Sequence, residues 1–378
     1  MLSLYFHIPF CEKKCNYCSF FIIPWNKLPE FKKNYVENII KEIKDKTDKF
    51  NLKKEKIYTI YFWGWTPSEL EINNYYKLLE FLNNFYDLST LEEFSLELNP
   101  FLSWKKSIIP FIKNLSSFIS KKINNKTKIR FSIGIQSLND YILKSSNRNY
   151  SFYEIIKVID NLPKEQFISY NLDFISFWLE TNKDFDIFKN FVKNYEKLID
   201  SYSVYTLELF PGSIWLDKFK TNEEKILDNF SKYKKIITNF WYKRYEISNF
   251  SKTWLESKHN MVYWTMKPYL GIWPSASWFI NNIRYTNSYS IKDYFSENFT
   301  YKEFKKLSNK EFWQEYIFLW LRLPKWIKLN KKVEKLINFI KLKELEKLDL
   351  IKLTNNNLHI TEKWFDVFNY ILSDILQI

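Results

Sequence analysis

The amino-acid sequence predicts an α/β fold, a curved, partial (β/α)6 barrel carrying a small winged-helix-like α/β appendage at its C-terminus. Strand-like apolar runs alternate with helical periodicity six times before residue 240, which implies a parallel sheet joined by right-handed crossovers. Polar residues gather at the C-terminal ends of successive strands, where barrels build their sites. The stretch from 306 onward changes character and reads as a separate module.

The first strand is Leu2 to Phe6, broken by His-Ile-Pro-Phe-Cys and followed by a helix from Glu30 to Phe50 with Phe31, Tyr35, Ile39 and Ile43 at helical spacing. Lys56 to Phe62 is the second strand, followed by Trp63-Gly64-Trp65-Thr66-Pro67-Ser68 and a helix from Glu69 to Tyr86. Strand three, Glu93 to Leu98, ends in Asn99-Pro100 and precedes a helix at Ile108 to Ile123. Strand four runs from Lys128 to Ile135 and ends at Gln136; Arg148 lies in the turn before a helix at Tyr153 to Asn161. Strand five, Phe167 to Phe174, contains Asp173 and leads into a helix at Lys183 to Leu198. Strand six is Ser201 to Leu207, with its helix at Glu223 to Asn239.

This order divides the chain into a barrel over 1–240, a less regular segment over 241–305 and a C-terminal module over 306–378. The module reads as a helix ending near Leu321, a second helix at Lys331 to Asp349, a hairpin around Asn355-Asn356-Asn357 and a closing helix. Winged helices often bind DNA, but no dense basic recognition helix is present, so no nucleic-acid partner is expected.

Composition narrows the class. The 378 residues suit one large domain plus a small one, and no apolar run approaches the roughly 20 residues of a membrane span. No signal-peptide pattern is present, and three cysteines in one motif suit a reducing cytoplasm. A net charge of +14 leaves room for peripheral contact with an acidic membrane, but the lysines are scattered and read better as a solvated surface. The chain has 4 Gly where typical usage would give roughly 26, and it has 15 Trp.

Tyr5 to Phe21 holds all three cysteines, Cys11, Cys15 and Cys18, spaced C-x3-C-x2-C. Three thiolates on one loop can hold three irons of a 4Fe-4S cluster and leave the fourth iron open. Structural zinc is the alternative, with His7 near enough to supply a fourth ligand. A disulfide is disfavoured because the count is odd.

That spacing, with aromatic Tyr17 before the last cysteine, resembles the radical S-adenosylmethionine (SAM) superfamily. The wording HIPFC…CNYC resembles one branch of it, the oxygen-independent coproporphyrinogen III oxidase and haem chaperone family. The resemblance implies that Cys11, Cys15 and Cys18 carry the 4Fe-4S cluster. It also implies that Tyr5, Tyr17, Gly64, Thr66, Glu97, Gln136, Arg148 and Asp173 contact SAM. Their chemistry suits that ligand: Arg148 for its carboxylate, Gln136 and Asp173 for the ribose, aromatic faces for adenine. Within the branch, the oxidases add a cysteine where this chain has Phe20 and an N-terminal extension where it has ten residues before Cys11. The haem chaperones carry His-Asn-x-x-Tyr-Trp, spelled here from His259 to Trp264. The resemblance makes His259 an axial haem ligand, with Tyr263 and Trp264 flanking the macrocycle. The implied function is to hold haem and pass it to acceptor proteins. A coproporphyrinogen III dehydrogenase is the alternative, and a fold that has lost its chemistry is the second alternative.

The departures from the family concern glycine. Family glycines fall at Trp63, Trp65, Trp178, Trp241, Trp254, Trp273 and Trp320, and also at Trp326 and Trp364. Glycine serves positive φ or close backbone approach, which an indole forbids. The reading adopted is that UGA means glycine in the source organism and has been written as Trp. The rival, a degenerate copy, would have eroded the cysteines and the HNxxYW motif as well. If these tryptophans stand in for glycine, several of Trp63, Trp65, Trp178, Trp254, Trp273, Trp326 and Trp364 should show positive φ, poor packing or unusual exposure, while Trp264 should look ordinary.

Overall fold

The structure is a computed structural model, and it describes residues 1–11, 13–19, 23–24, 34–64, 66–102, 105–216, 218–354 and 356–375. Twelve strands form one sheet. In chain order they are β1 (Leu2–Ile8), β2 (Ile57–Gly64), β3 (Glu93–Leu98), β4 (Lys128–Gln136), β5 (Ile168–Ser176) and β6 (Ser201–Thr206), then β7 (Lys243–Arg244), β8 (Asn249–Ser251), β9 (Tyr269–Ile272), β10 (Ser277–Ile280), β11 (Ile283–Asn287) and β12 (Tyr301–Lys306). Across the sheet they lie in the order β7-β8-β6-β5-β4-β3-β2-β1-β9-β10-β11-β12.

The six strands read from the sequence run parallel to one another, as the crossovers require. The sheet does not close: β8 caps one edge of the parallel core antiparallel to β6, while β9 joins β1 in parallel and starts an antiparallel run to β12. Residues 241–305 therefore extend both edges of the barrel sheet. The six parallel strands are buried along most of their length because helices cover them: α1 (Tyr35–Phe50), α2 (Ile72–Phe85), α3 (Ile109–Phe118), α4 (Asp140–Ser145), α5 (Phe152–Asp160), α6 (Asn182–Tyr195) and α7 (Glu223–Asn239); two short helices, α8 (Lys258–Trp264) and α9 (Ile291–Phe295), follow in the extension.

Two local features depart from the periodicity. The short α4, capped by Asn139, was not read from the sequence, since one and a half turns leave no repeat to detect. In the C-terminal module the expected helix over Lys331 to Asp349 is two: α11 (Lys331–Glu334) and α12 (Phe339–Lys347). The break falls where Asn338 accepts hydrogen bonds from the backbone of Ile340 and Lys341 and so starts a new helix. Around these pieces lie α10 (Asn309–Trp320), β13 (Ile327–Lys328), the hairpin β14 (Ile351–Thr354) and β15 (Asn357–Ile360), and α13 (Glu362–Ile375). Their buried side chains form a second hydrophobic core, from Ile317 to Phe368, apart from that of the barrel.

The backbone bears on the tryptophans. Trp241, Trp254 and Trp273 have φ of 69°, 71° and 96°, the left-handed region that bulky residues avoid. Trp241 and Trp254 are 83% and 87% exposed, and Trp326 is 48% exposed. Trp273 is buried and packs at a tilt against Tyr35 and edge-on against Tyr294. Trp364 departs from the expectation: it is fully buried, and its indole N–H donates to Leu321 O at 3.0 Å. Trp178 is half-buried without positive φ, and Trp65 and Phe20 lie outside the described residues.

Candidate functional site

The cysteine loop is held against the barrel mouth from two sides. Asn16 donates its backbone N–H to Ser146 O and its side-chain amide to Ser145 O, while Asn147 donates to Lys14 O at 2.9 Å. On the other side, Lys14 Nζ donates to Gly212 O at 2.9 Å, and Trp215 N–H donates to Asn16 O. Cys11, Cys15 and Cys18 are all half-buried and share the wall of a cavity of about 700 Å3. Burial pushes the Cys11 thiol up to about 11, against an opposing hydrogen bond from Thr66 Oγ1, so a bound metal would have to draw off its proton.

Most of the SAM contacts implied by the sequence line that same cavity: Tyr17, Gly64, Glu97, Gln136, Arg148 and Asp173. Thr66 lies behind it, accepting from Asn99 at 3.1 Å and donating to Cys11 Sγ at 3.6 Å. Gly64 has φ of 136°, and a Cβ there would stand 2.2 Å from Ile8 O, so only glycine fits where β2 passes the entry to the cysteine loop. Arg148 donates to Asn99 Oδ1, Gly134 O, Tyr150 Oη and Tyr17 Oη. Its buried Nε has no partner, and no carboxylate among the described residues lies within ion-pair distance of it. An unspent donor on a half-buried cation fits the carboxylate of an amino-acid ligand. Asp173 accepts from Ser132 Oγ at 2.8 Å and Asn171 Nδ2 at 2.7 Å, and Glu97 accepts from Tyr61 Oη at 2.7 Å. Burial raises both carboxyls above their usual range, and the charge of Asp173 adds to the effect on Glu97.

A second cavity, of about 1120 Å3, adjoins the first; Trp63, Glu97, Tyr205 and Arg322 line both. Tyr5 lies on this second wall, its hydroxyl 2.9 Å from His7 Nδ1. The HNxxYW motif forms the helix α8 (Lys258–Trp264) against it. Glu93, buried at the foot of β3, accepts the backbone N–H groups of Lys258 and His259 at 2.8 and 3.0 Å, a carboxylate on a helix N-terminus. Tyr263 and Trp264 line the cavity; His259 is fully buried and does not. Its Nδ1 is 2.7 Å from Thr59 Oγ1 and its Nε2 2.8 Å from Tyr263 Oη. Trp264 has ordinary helical backbone, with the Arg322 guanidinium 4.2 Å above its ring.

Sequence reasoning missed Arg284 and Arg322, which line this cavity and pair with Glu315 and Glu246. A signal was present. Only five of the 57 basic residues are arginine, so in a lysine-dominated chain each arginine marks a place where a planar fork is wanted.

The radical SAM superfamily matches residues 5–192. The chain belongs to that superfamily. The haem chaperone HemW of Lactococcus lactis is 29% identical over 99% of this chain and 97% of its own length. That of Bacillus subtilis is 27% identical over 89% and 87% of the two chains. Among solved structures, coproporphyrinogen III oxidase (HemN) of Escherichia coli superposes with a TM-score of 0.80 over 98% of this chain and 89% of its own, at 18% identity. That last likeness establishes the fold.

Proposed function

We propose that this protein is a cytoplasmic radical SAM haem chaperone, which binds a 4Fe-4S cluster, SAM and haem and delivers haem to acceptor proteins. The observation that carries the reading is the placement of the HNxxYW helix on an aromatic cavity larger than the roughly 300–1,000 Å3 of ordinary ligand pockets, next to the cysteine-lined one. Named relatives matched over nearly their whole length support it.

In this reading Cys11, Cys15 and Cys18 hold three irons of the cluster, which when reduced can supply an electron to the sulfonium of SAM. Arg148 receives the SAM carboxylate, Asp173 and Gln136 meet the ribose, and Gly64 lets the β2 backbone come close. Gln136 ends β4 at φ of 70° beside a register shift, which turns its side chain off the regular pleat. In the second cavity Tyr263, Trp264, Tyr61 and Tyr269 offer ring faces to a macrocycle, and Arg284 and Arg322 offer guanidinium groups to its carboxylates.

The test is haem transfer. The purified chain, reconstituted anaerobically with iron and sulfide, should take up haem and lose it to an apo-acceptor such as an apocytochrome. Conversion of coproporphyrinogen III to protoporphyrinogen IX by the same preparation would replace this reading with the oxidase.

A further inference from the structure

We infer that Tyr263, not His259, presents the atom that meets haem iron, and that His259 is a positioning residue holding the phenol from behind. The inference rests on the haem reading of the larger cavity and concerns which atom faces it.

Access decides first. Tyr263 is half-buried and lines the cavity, whereas His259 is fully buried and lines neither cavity. Hydrogen bonding decides second. The Thr59 hydroxyl donates to Ser3 Oγ at 2.8 Å, so its oxygen is left to accept from His259 Nδ1–H at 2.7 Å. That fixes the tautomer and leaves Nε2 as the acceptor for the Tyr263 O–H at 2.8 Å. Packing decides third. For Nε2 to reach the cavity the Tyr263 ring would have to leave its place against Tyr269, 4.7 Å away, while the backbone N–H of His259 stays gripped by Glu93.

The arrangement is therefore a phenol on the cavity wall with an imidazole acceptor behind it. Tyrosine is an established axial ligand of ferric haem. On ligation the Tyr263 Oη–Fe bond forms, the O–H bond breaks, and the proton leaves through the cavity to water, because burial disfavours a charged His259, which stays a neutral hydrogen-bonding partner; no electron changes hands. A second tyrosine–histidine pair, Tyr5 and His7, lies on the same wall, but there the imidazole itself lines the cavity. It is the rival pair that the test has to separate from Tyr263 and His259.

The full-length chain is titrated with ferric haem and followed by absorption and resonance Raman spectroscopy. The wild type should show a phenolate-to-iron charge-transfer signature. Tyr263→Phe should abolish that signature and weaken binding by at least about tenfold, and Tyr263→His should keep binding but with a histidine-type spectrum, which guards against a folding defect. His259→Gln should keep the phenolate signature, shifted, with affinity down by roughly 10–100-fold. Tyr5→Phe should keep the phenolate signature, and Tyr153→Phe, exposed on α5 and on neither cavity wall, should change neither signature nor affinity. A histidine-type spectrum in the wild type that His259→Gln removes and Tyr263→Phe leaves intact overturns the assignment, as does loss of the phenolate signature in Tyr5→Phe alone. Haem binding without any phenolate signature sinks this inference and spares the chaperone reading. Absence of haem binding sinks both.

Discussion

The two adjoining cavities treat positive charge differently. In the cysteine-lined cavity Arg148 is half-buried among neutral partners, with an unspent, buried Nε and no carboxylate among the described residues to balance it. In the aromatic cavity Arg284 and Arg322 carry their counter-ions with them, as Glu315 and Glu246. Burying a cation without a partner is costly, so the first cavity is built for an anion that stays. The second has already met that cost internally, so a carboxylate ligand there only exchanges one partner for another. Strong retention on one side and easy exchange on the other are what a resident cofactor and a passing cargo require.

The largest effect should come from the thiols. Replacing Cys11, Cys15 or Cys18 by serine is expected to abolish the cluster's absorption after anaerobic reconstitution. Stoichiometric zinc without iron uptake in the wild type would break the comparison at its root. Next comes the unpaired cation: Arg148→Ala removes charged hydrogen bonds worth about 1.5–3 kcal/mol, so SAM affinity measured by calorimetry should fall roughly 10- to 100-fold. The paired cation should matter less. Glu315→Gln frees Arg284 from a partly exposed ion pair worth about 0.2–1 kcal/mol, so haem should dissociate more slowly by no more than about fivefold. A larger change than that for Arg148 would reverse the contrast drawn above.

Acidity sharpens the same contrast. Glu97 and Asp173 have folded pKa values above their unfolded ones, so the native state holds protons that the unfolded state has released. Their contribution to stability is therefore greatest below the ordinary carboxylate range and is lost as pH rises through the raised values. If the two carboxylates meet SAM as proposed, they do so in the charged form, and SAM affinity should climb over the same interval with release of protons. Asp173→Asn should flatten both trends; an unchanged pH profile would remove Asp173 from the ligand's reach.

Much of this was legible in the sequence because it is periodic or clustered. Six parallel strands announce themselves as apolar runs between amphipathic helices, and three cysteines within eight residues mark a metal-binding loop. The residues proposed for SAM came from the family resemblance, and the structure brings Tyr17, Gly64, Glu97, Gln136, Arg148 and Asp173 to one cavity. What stayed hidden depends on pairing between distant segments. Strands β10 to β12 are short and rich in aromatic and charged residues on both faces, so they lack clean alternation, and their register exists only against one another. Thr59 and Glu93 looked like ordinary strand positions; their role at His259 arises from contacts spanning some 160 to 200 residues of chain. The division of labour between His259 and Tyr263 was invisible for the same reason, because the motif places the two side by side without saying which faces out.

The smallest effects, and the sharpest check on the written sequence, concern the tryptophans. Trp254 and Trp241 are exposed at positive φ, where a bulky side chain is strained and an indole gains little packing. Glycine at either should therefore stabilise the chain by about 1 kcal/mol, read as a rise in the denaturation midpoint. Trp273 has the same strain but a buried indole against Tyr35 and Tyr294, so relief of strain and loss of packing oppose each other, and Trp273→Gly should be destabilising in the chain as written. Trp63 stands where the two cavities meet, on the walls of both, beside the one glycine that the turn cannot do without. Glycine at 63 would open the cavities into each other and bring the haem side within reach of the SAM side. Peptide mass spectrometry of the protein from its native host should find glycine at Trp63, Trp241, Trp254 and Trp273. Tryptophan there, in a protein that still binds SAM normally, would mean that the indole wall is real and that the two cavities work as separate rooms.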